Sequence, residues 1–145
     1  VYYVNREAIE RRLGCIGELA AAAEALASGW TGSLAEGLAQ ERTLHLALEI
    51  VTDVGSFLID GFMMRDASSY EDIVDVIAGE SVVPQERAAK LRELVLLRKP
   101  LVQDYDSWPR NALHPLTAEL PALLGGFAAD VREYLRKELD PWEAR

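Results

Sequence analysis

Apolar residues along this chain recur three and four apart almost throughout, and that spacing predicts helices. Ile9, Leu13, Ile16, Leu19 and Ala23 form the first such series, with Asn5 placed to cap it and Glu7 in the first turn, where the helix dipole favours an anion. The alanine run Ala20–Ala23 suggests a close helix–helix contact, and Ser28-Gly29-Trp30-Thr31-Gly32 ends the series. Leu34, Leu38, Leu44, Leu48, Val51, Val54, Leu58 and Phe62 keep the period to about Met64. A helix of roughly 30 residues would be about 45 Å long, so it should bend or extend into a partner. Gly55 and Gly61 are the candidate soft points.

The second half is more broken. Ser69 with Asp72 resembles a capping box and opens a short helix that buries Ile73, Val76 and Ile77 and ends at Gly79. Pro84 fits the first turn of the next helix, whose apolar face runs from Ala88 through Leu91, Leu94, Val95 and Leu97 to Val102. Pro100 should kink it. Ser107-Trp108-Pro109-Arg110-Asn111 reads as a loop. A last helix runs from about Pro115 to Leu139, with a break or kink expected near Pro121 and Gly125-Gly126. Nothing alternates as a strand would. The expected fold is all-α: an up-and-down bundle of about five helices, one domain over residues 1–145.

Bulk properties narrow the function. The lone cysteine, Cys15, cannot form an internal disulfide, so a reducing compartment and a buried, apolar role for Cys15 are expected. The start, Val1 to Arg6, lacks a signal-peptide layout and no apolar run is long enough to cross a membrane, so the chain reads as cytoplasmic. A net charge of −9 argues against non-specific nucleic-acid binding, and no DNA partner is expected. The charge is uneven, however: residues 84–110 carry net +2 while the remainder is acidic.

Few residues offer chemistry. No glycine-rich phosphate loop and no cysteine or histidine pair at ligand spacing is present, so neither cofactor nor metal is expected. Glu49, Asp53 and Asp60 share a helix face and read as a solvated acidic surface. His45 reads as a half-buried helix histidine paired with Glu41 or Glu49, and His114 as a loop or helix-start residue.

Leu97-Arg98-Lys99-Pro100-Leu101-Val102-Gln103-Asp104-Tyr105 is the informative stretch. It resembles the motif of HepT-like HEPN proteins, in which Arg is followed after four residues by His, and after one more by Tyr. Arg98 and Tyr105 match, and Gln103 takes the histidine position. Asp60–Asp66, Ser69–Ile73 and Val82-Val83-Pro84 also resemble family segments, so the likeness covers most of the chain. It resembles in particular the YutE-type branch, which carries Gln at that position.

The resemblance implies a metal-independent ribonuclease toxin of a toxin–antitoxin pair. Two motifs would face each other across a homodimer cleft, and RNA would be the substrate. Arg98 and Lys99 would hold phosphate, Gln103 would orient it, and Tyr105 would line the site. The family partner is a minimal nucleotidyltransferase antitoxin, and Tyr105 would be the residue it modifies. The departure at Gln103 is chemical. Histidine as a residue type exchanges a proton near neutral pH and an amide does not, so cleavage should be weak or lost. His114 could supply the missing base if the fold brought it to Arg98. Two other readings stand beside this one. In the first, the chain is a non-catalytic helical dimer serving as a protein-interaction or anion- and nucleotide-binding module. In the second the stretch is structural, with Arg98 paired to Asp104 or Asp106 and Tyr105 packed in a core.

Overall fold

The computed structural model describes the backbone of residues 3–143. The single unit expected over 1–145, and the reading of the Val1-Tyr2 start, reach outside the described residues. Six α-helices follow one another: α1 (Arg6–Leu13), α2 (Ile16–Gly29), α3 (Leu34–Gly61), α4 (Tyr70–Gly79), α5 (Gln85–Leu96) and α6 (Pro115–Glu143). Among the described residues no strand occurs, and no helix is long and apolar enough to cross a membrane. The all-α bundle expected from the periodicity is the observed fold.

Helix α3 is its axis. It packs against all five other helices, while α2 lies along α6. Its 28 residues span about 42 Å at 1.5 Å per residue. Leu44, Ala47, Leu48, Val51, Val54 and Leu58 are fully buried along it. The expected soft point Gly55 is a contact point: a methyl group there would collide with the Ile73 side chain, so its bareness lets α4 approach.

Three details depart from the sequence reading. The first predicted helix is two, separated at Gly14-Cys15, and Asn5 caps only α1, accepting from Ala8 N–H. Cys15 is exposed, not buried. It sits on the corner between α1 and α2, where the turn restarts the apolar face inward at Ile16 and leaves its predecessor outside. Helix α6 runs unbroken through Pro121 and Gly125-Gly126. An interior proline costs about 3 kcal/mol. Burying Leu120, Leu124, Phe127 and Val131 on the same helix contributes about 1.5–3 kcal/mol each, and so outweighs it.

Capping carboxylates fix the starts of α3 and α4. Ser33 and Glu36 form a reciprocal capping box, and Glu36 also accepts from the Thr31 hydroxyl and N–H. The Thr31 hydroxyl and the Ser33 backbone N–H hold the Glu36 carboxyl down at about 2. At α4, Ser69 accepts from Asp72 N–H. The Asp72 carboxylate turns instead to Arg65, at 2.8 Å, and to Ser68 N–H. Arg65 first, then Ser68, holds Asp72 well below the ordinary carboxylate range.

Both shifts are depressions, so both contributions are complete above the ordinary carboxylate value and fade as pH falls through the folded one. Lowering the pH from 5 to 2 should therefore lower the melting temperature. The doubly substituted Glu36→Gln, Asp72→Asn chain should lose less over that range. Equal losses in the two chains, followed by circular dichroism, would refute the assignment.

Candidate functional site

Pro100 shapes the motif region. It has no N–H to offer the carbonyl of Leu96, four residues back, and α5 ends at Leu96. The chain then widens into a π-helical turn, Lys99–Gln103, closed by Asp104 N–H donating to the Lys99 carbonyl at 3.1 Å. Such turns are short and concentrate at functional sites. In a continuous α-helix Gln103 would point about 140° away from Arg98. A turn closed five residues apart narrows that angle. A 3-10 turn, Tyr105–Ser107, follows.

Arg98 is half-buried. Its guanidinium lies 3.9 Å from the centroid of the Tyr70 ring, at the start of α4, as a cation over an aromatic face. Its Nε is buried without a hydrogen-bond partner among the described residues and stands 3.9 Å from Glu49 Oε1 on α3. That distance is an ion pair but no hydrogen bond. Arg98 therefore pairs with neither Asp104 nor Asp106, contrary to the purely structural reading. Lys99 is exposed and takes Asp104 instead, at 3.8 Å. Gln103 and Tyr105 are exposed, Tyr105 by 58%, so Tyr105 is not a core residue.

Helix α3 underlies this region with residues at helical spacing. Glu41 accepts from Arg110 Nε at 2.8 Å, and the same guanidinium donates to the Tyr105 carbonyl at 2.9 Å. His45 Nε2 stands 3.4 Å from Glu49 Oε1, the carboxylate that faces Arg98, and Nδ1 stands 3.3 Å from Arg42. Of the two partners offered for His45 by spacing, Glu49 is the one used, because Glu41 is committed to Arg110.

The loop between the motif and α6 is pinned to α3 by Gln40, which is fully buried. Its amide donates to the Ala112 carbonyl at 3.0 Å and accepts from His114 N–H at 2.8 Å and the Thr117 hydroxyl at 2.7 Å. Gly37, one turn earlier, leaves room for the Arg110 carbonyl, which any side chain would strike. His114 stacks on Trp108, ring centroids 5.7 Å apart, and its Nδ1 accepts from Leu116 N–H at the start of α6. Burial pushes the His114 imidazole below the ordinary histidine value, against the pull of Glu119 and Glu93. It is a helix-start residue, and none of these contacts is with Arg98.

The structure thus brings Arg98 together with Tyr70, Glu49 and His45, and it ties the backbone of Tyr105 to α3 through Arg110. Tyr70, Gln40, Glu41 and Arg110 lie outside the motif. Spacing marked Glu41 only as a partner for His45 and Arg110 only as a loop residue, Tyr70 falls in the Ser69–Ile73 segment that resembles the family, and Gln40 carried no signal. Of the other two carboxylates of the acidic face, Asp53 pairs with Arg12 of α1 at 3.6 Å and Asp60 is exposed.

Comparison with known proteins gives one consistent picture. The sequence profile of the family described as "Ribonuclease HepT-like" matches residues 13–123. A Bacillus subtilis (strain 168) protein described as "Putative RNase YutE" is 36% identical over 144 residues, 99% of each chain. A solved structure of YutE from Bacillus subtilis, described as a cytosolic protein of unknown function, superposes with a TM-score of 0.87. It is 36% identical, and the match covers 96% of both chains.

Removing the Gln40 amide would take a partner from the Ala112 carbonyl, the His114 N–H and the buried Thr117 hydroxyl. Gln40→Ala should therefore lower stability by about 2–4 kcal/mol, seen as a lower urea midpoint at an unchanged slope. A shift under about 0.5 kcal/mol would show that water replaces the amide without loss.

Proposed function

The chain belongs to the HepT-like ribonuclease family, and from that premise we propose that it binds and slowly cleaves RNA, without metal, at the surface formed by Arg98, Lys99, Gln103 and Tyr105. The observation that carries the reading is the state of Arg98. Its guanidinium is oriented by the Tyr70 ring, has a buried Nε with no hydrogen bond, and faces Glu49 only at 3.9 Å. An arginine held in place but incompletely paired suits an incoming phosphate, which its planar fork binds with two parallel hydrogen bonds. Glu49 competes with that anion and moderates affinity. Gln103 can donate to a phosphate oxygen and cannot exchange a proton.

In this reading the working unit is a homodimer in which two Arg98 sites share a cleft. Leu34 and Leu38 support it. They are exposed, one turn apart on α3, and in helical line with His45 and Glu49. Two-fold pairing is also the commonest way to cover such a stripe. The cellular role would be that of a cytoplasmic toxin-type ribonuclease held by a minimal nucleotidyltransferase antitoxin. The exposed Tyr105 hydroxyl, free of hydrogen bonds among the described residues, would be the group it modifies.

Cleavage of a single-stranded ribo-oligonucleotide in EDTA tests the activity. Wild type should cleave slowly, Arg98→Ala should not, and Gln103→His should be faster by about 10²-fold or more, the usual contribution of a placed acid–base group. Wild-type cleavage unchanged in Arg98→Ala would move the site elsewhere. Binding without cleavage in any variant, Gln103→His included, would favour the anion-binding module. For the assembly, light scattering should give twice the chain mass at micromolar concentration, and Leu34→Glu with Leu38→Glu should halve it. A monomeric wild type would end the dimer reading.

A further inference from the structure

The amide at Gln103 leaves the site without a proton acceptor on the motif itself, yet an imidazole stands within it. We infer that His45, on α3, is the proton-transfer residue of this site. The inference rests on the ribonuclease reading and extends it.

Three observations carry it. First, His45 and Arg98 share one carboxylate. Glu49 Oε1 is 3.4 Å from His45 Nε2 and 3.9 Å from Arg98 Nε. Second, the two flanks of the ring are chemically opposite. Glu49, as a carboxylate, can only accept, and Arg42, 3.3 Å from Nδ1, can only donate. The neutral ring therefore carries its proton on Nε2 and a lone pair on Nδ1. Glu49 stands within ion-pair reach of Nε2 without a formed hydrogen bond; a small turn of the ring closes it and orients Nδ1 as a base, the arrangement general-base histidines use. Third, the ring is part-exposed and lies one helical turn from Glu41, whose partner Arg110 holds the Tyr105 carbonyl. His45 is thus placed on α3 between the residue that meets Arg98 and the residue that fixes Tyr105. The charged groups around it are Arg42 and Glu49 on its own helix and Arg98 from the end of α5. Arg42 is exposed and can turn from Nδ1 to a phosphate.

The step balances without a metal. His45 Nδ1 takes the proton of a ribose 2′-hydroxyl, and the freed oxygen bonds to the adjacent phosphorus as the P–O5′ bond breaks. The departing O5′ takes a proton from water, and the imidazolium returns its own to the hydroxide left behind. The products are a 2′,3′-cyclic phosphate and a 5′-hydroxyl. Arg98 neutralises charge on the phosphoryl oxygens, and Glu49 acts as a positioning residue.

The test is metal-free cleavage of a single-stranded ribo-oligonucleotide by wild type, His45→Gln, His45→Ala, Arg98→Ala and Gln103→His. In His45→Gln, kcat should fall at least about 100-fold with KM little changed. Added imidazole should restore cleavage to His45→Ala, which separates lost proton transfer from lost structure. Gln103→His should restore it to His45→Gln by returning an imidazole to the motif. If His45→Gln cleaves like wild type while Arg98→Ala does not, His45 is overturned and the ribonuclease reading stands. Loss in both His45 variants that neither imidazole nor Gln103→His restores also overturns it, in favour of a structural role. No cleavage by wild type or by Gln103→His removes the ribonuclease reading and the role of His45 with it.

Discussion

The geometry around the motif depends on one buried amide. Gln40 is polar and fully buried on the axial helix, and such a group is tolerated inside only when its hydrogen bonds are made. It makes three, to Ala112, His114 and Thr117. Those three residues span the end of the loop and the first turn of α6. Fixing them fixes where the loop leaves α3, and the loop begins at the 3-10 turn that contains Tyr105. Two neighbours complete the attachment: Gly37 admits the Arg110 carbonyl and Glu41 holds the Arg110 guanidinium. Secondary structure alone would leave this segment free to drift, because its two short turns supply few bonds of their own.

A second constraint comes from an absence. Pro100 offers no N–H, and the consequence is felt four residues earlier, where α5 stops, and four residues later, where Asp104 closes a wider turn on Lys99. Arg98 sits at the boundary. Its backbone is still helical and anchored by the packing of α5, while its side chain crosses to α3 and α4. If Arg98 binds phosphate as proposed, it gains from such a mounting, since less side-chain freedom is left to lose on binding.

The sequence disclosed the helices because their apolar period is long and regular. It also disclosed the motif, because Arg98, Gln103 and Tyr105 lie close together in the chain. It did not disclose the partners of that motif. Glu49 and Tyr70 come from other helices, and nothing local marks Glu49 as facing an arginine and not solvent. The break at Gly14-Cys15 was hidden because Leu13 and Ile16 keep helical spacing across it, and the continuity of α6 was hidden because proline and glycine propensities are local while the packing of Leu124 and Phe127 is not. The Ser33-x-x-Glu36 box, by contrast, is a purely local signal, and it starts the helix on which everything else rests.

Two of the chain's three tryptophans bracket the pinned loop. Trp30 donates from its ring nitrogen to the Asn111 carbonyl at 3.1 Å, and Trp108 stacks on His114. The Trp30 contact joins the end of α2 to the loop and reads its seating, while the Trp108 stack reads the order within the loop itself. Their emission is a built-in optical gauge of local opening, distinct from the far-ultraviolet signal of the bundle. A fluorescence change that precedes loss of helix, during mild denaturation or on adding a ligand, would resolve the motion of this segment from unfolding of the whole.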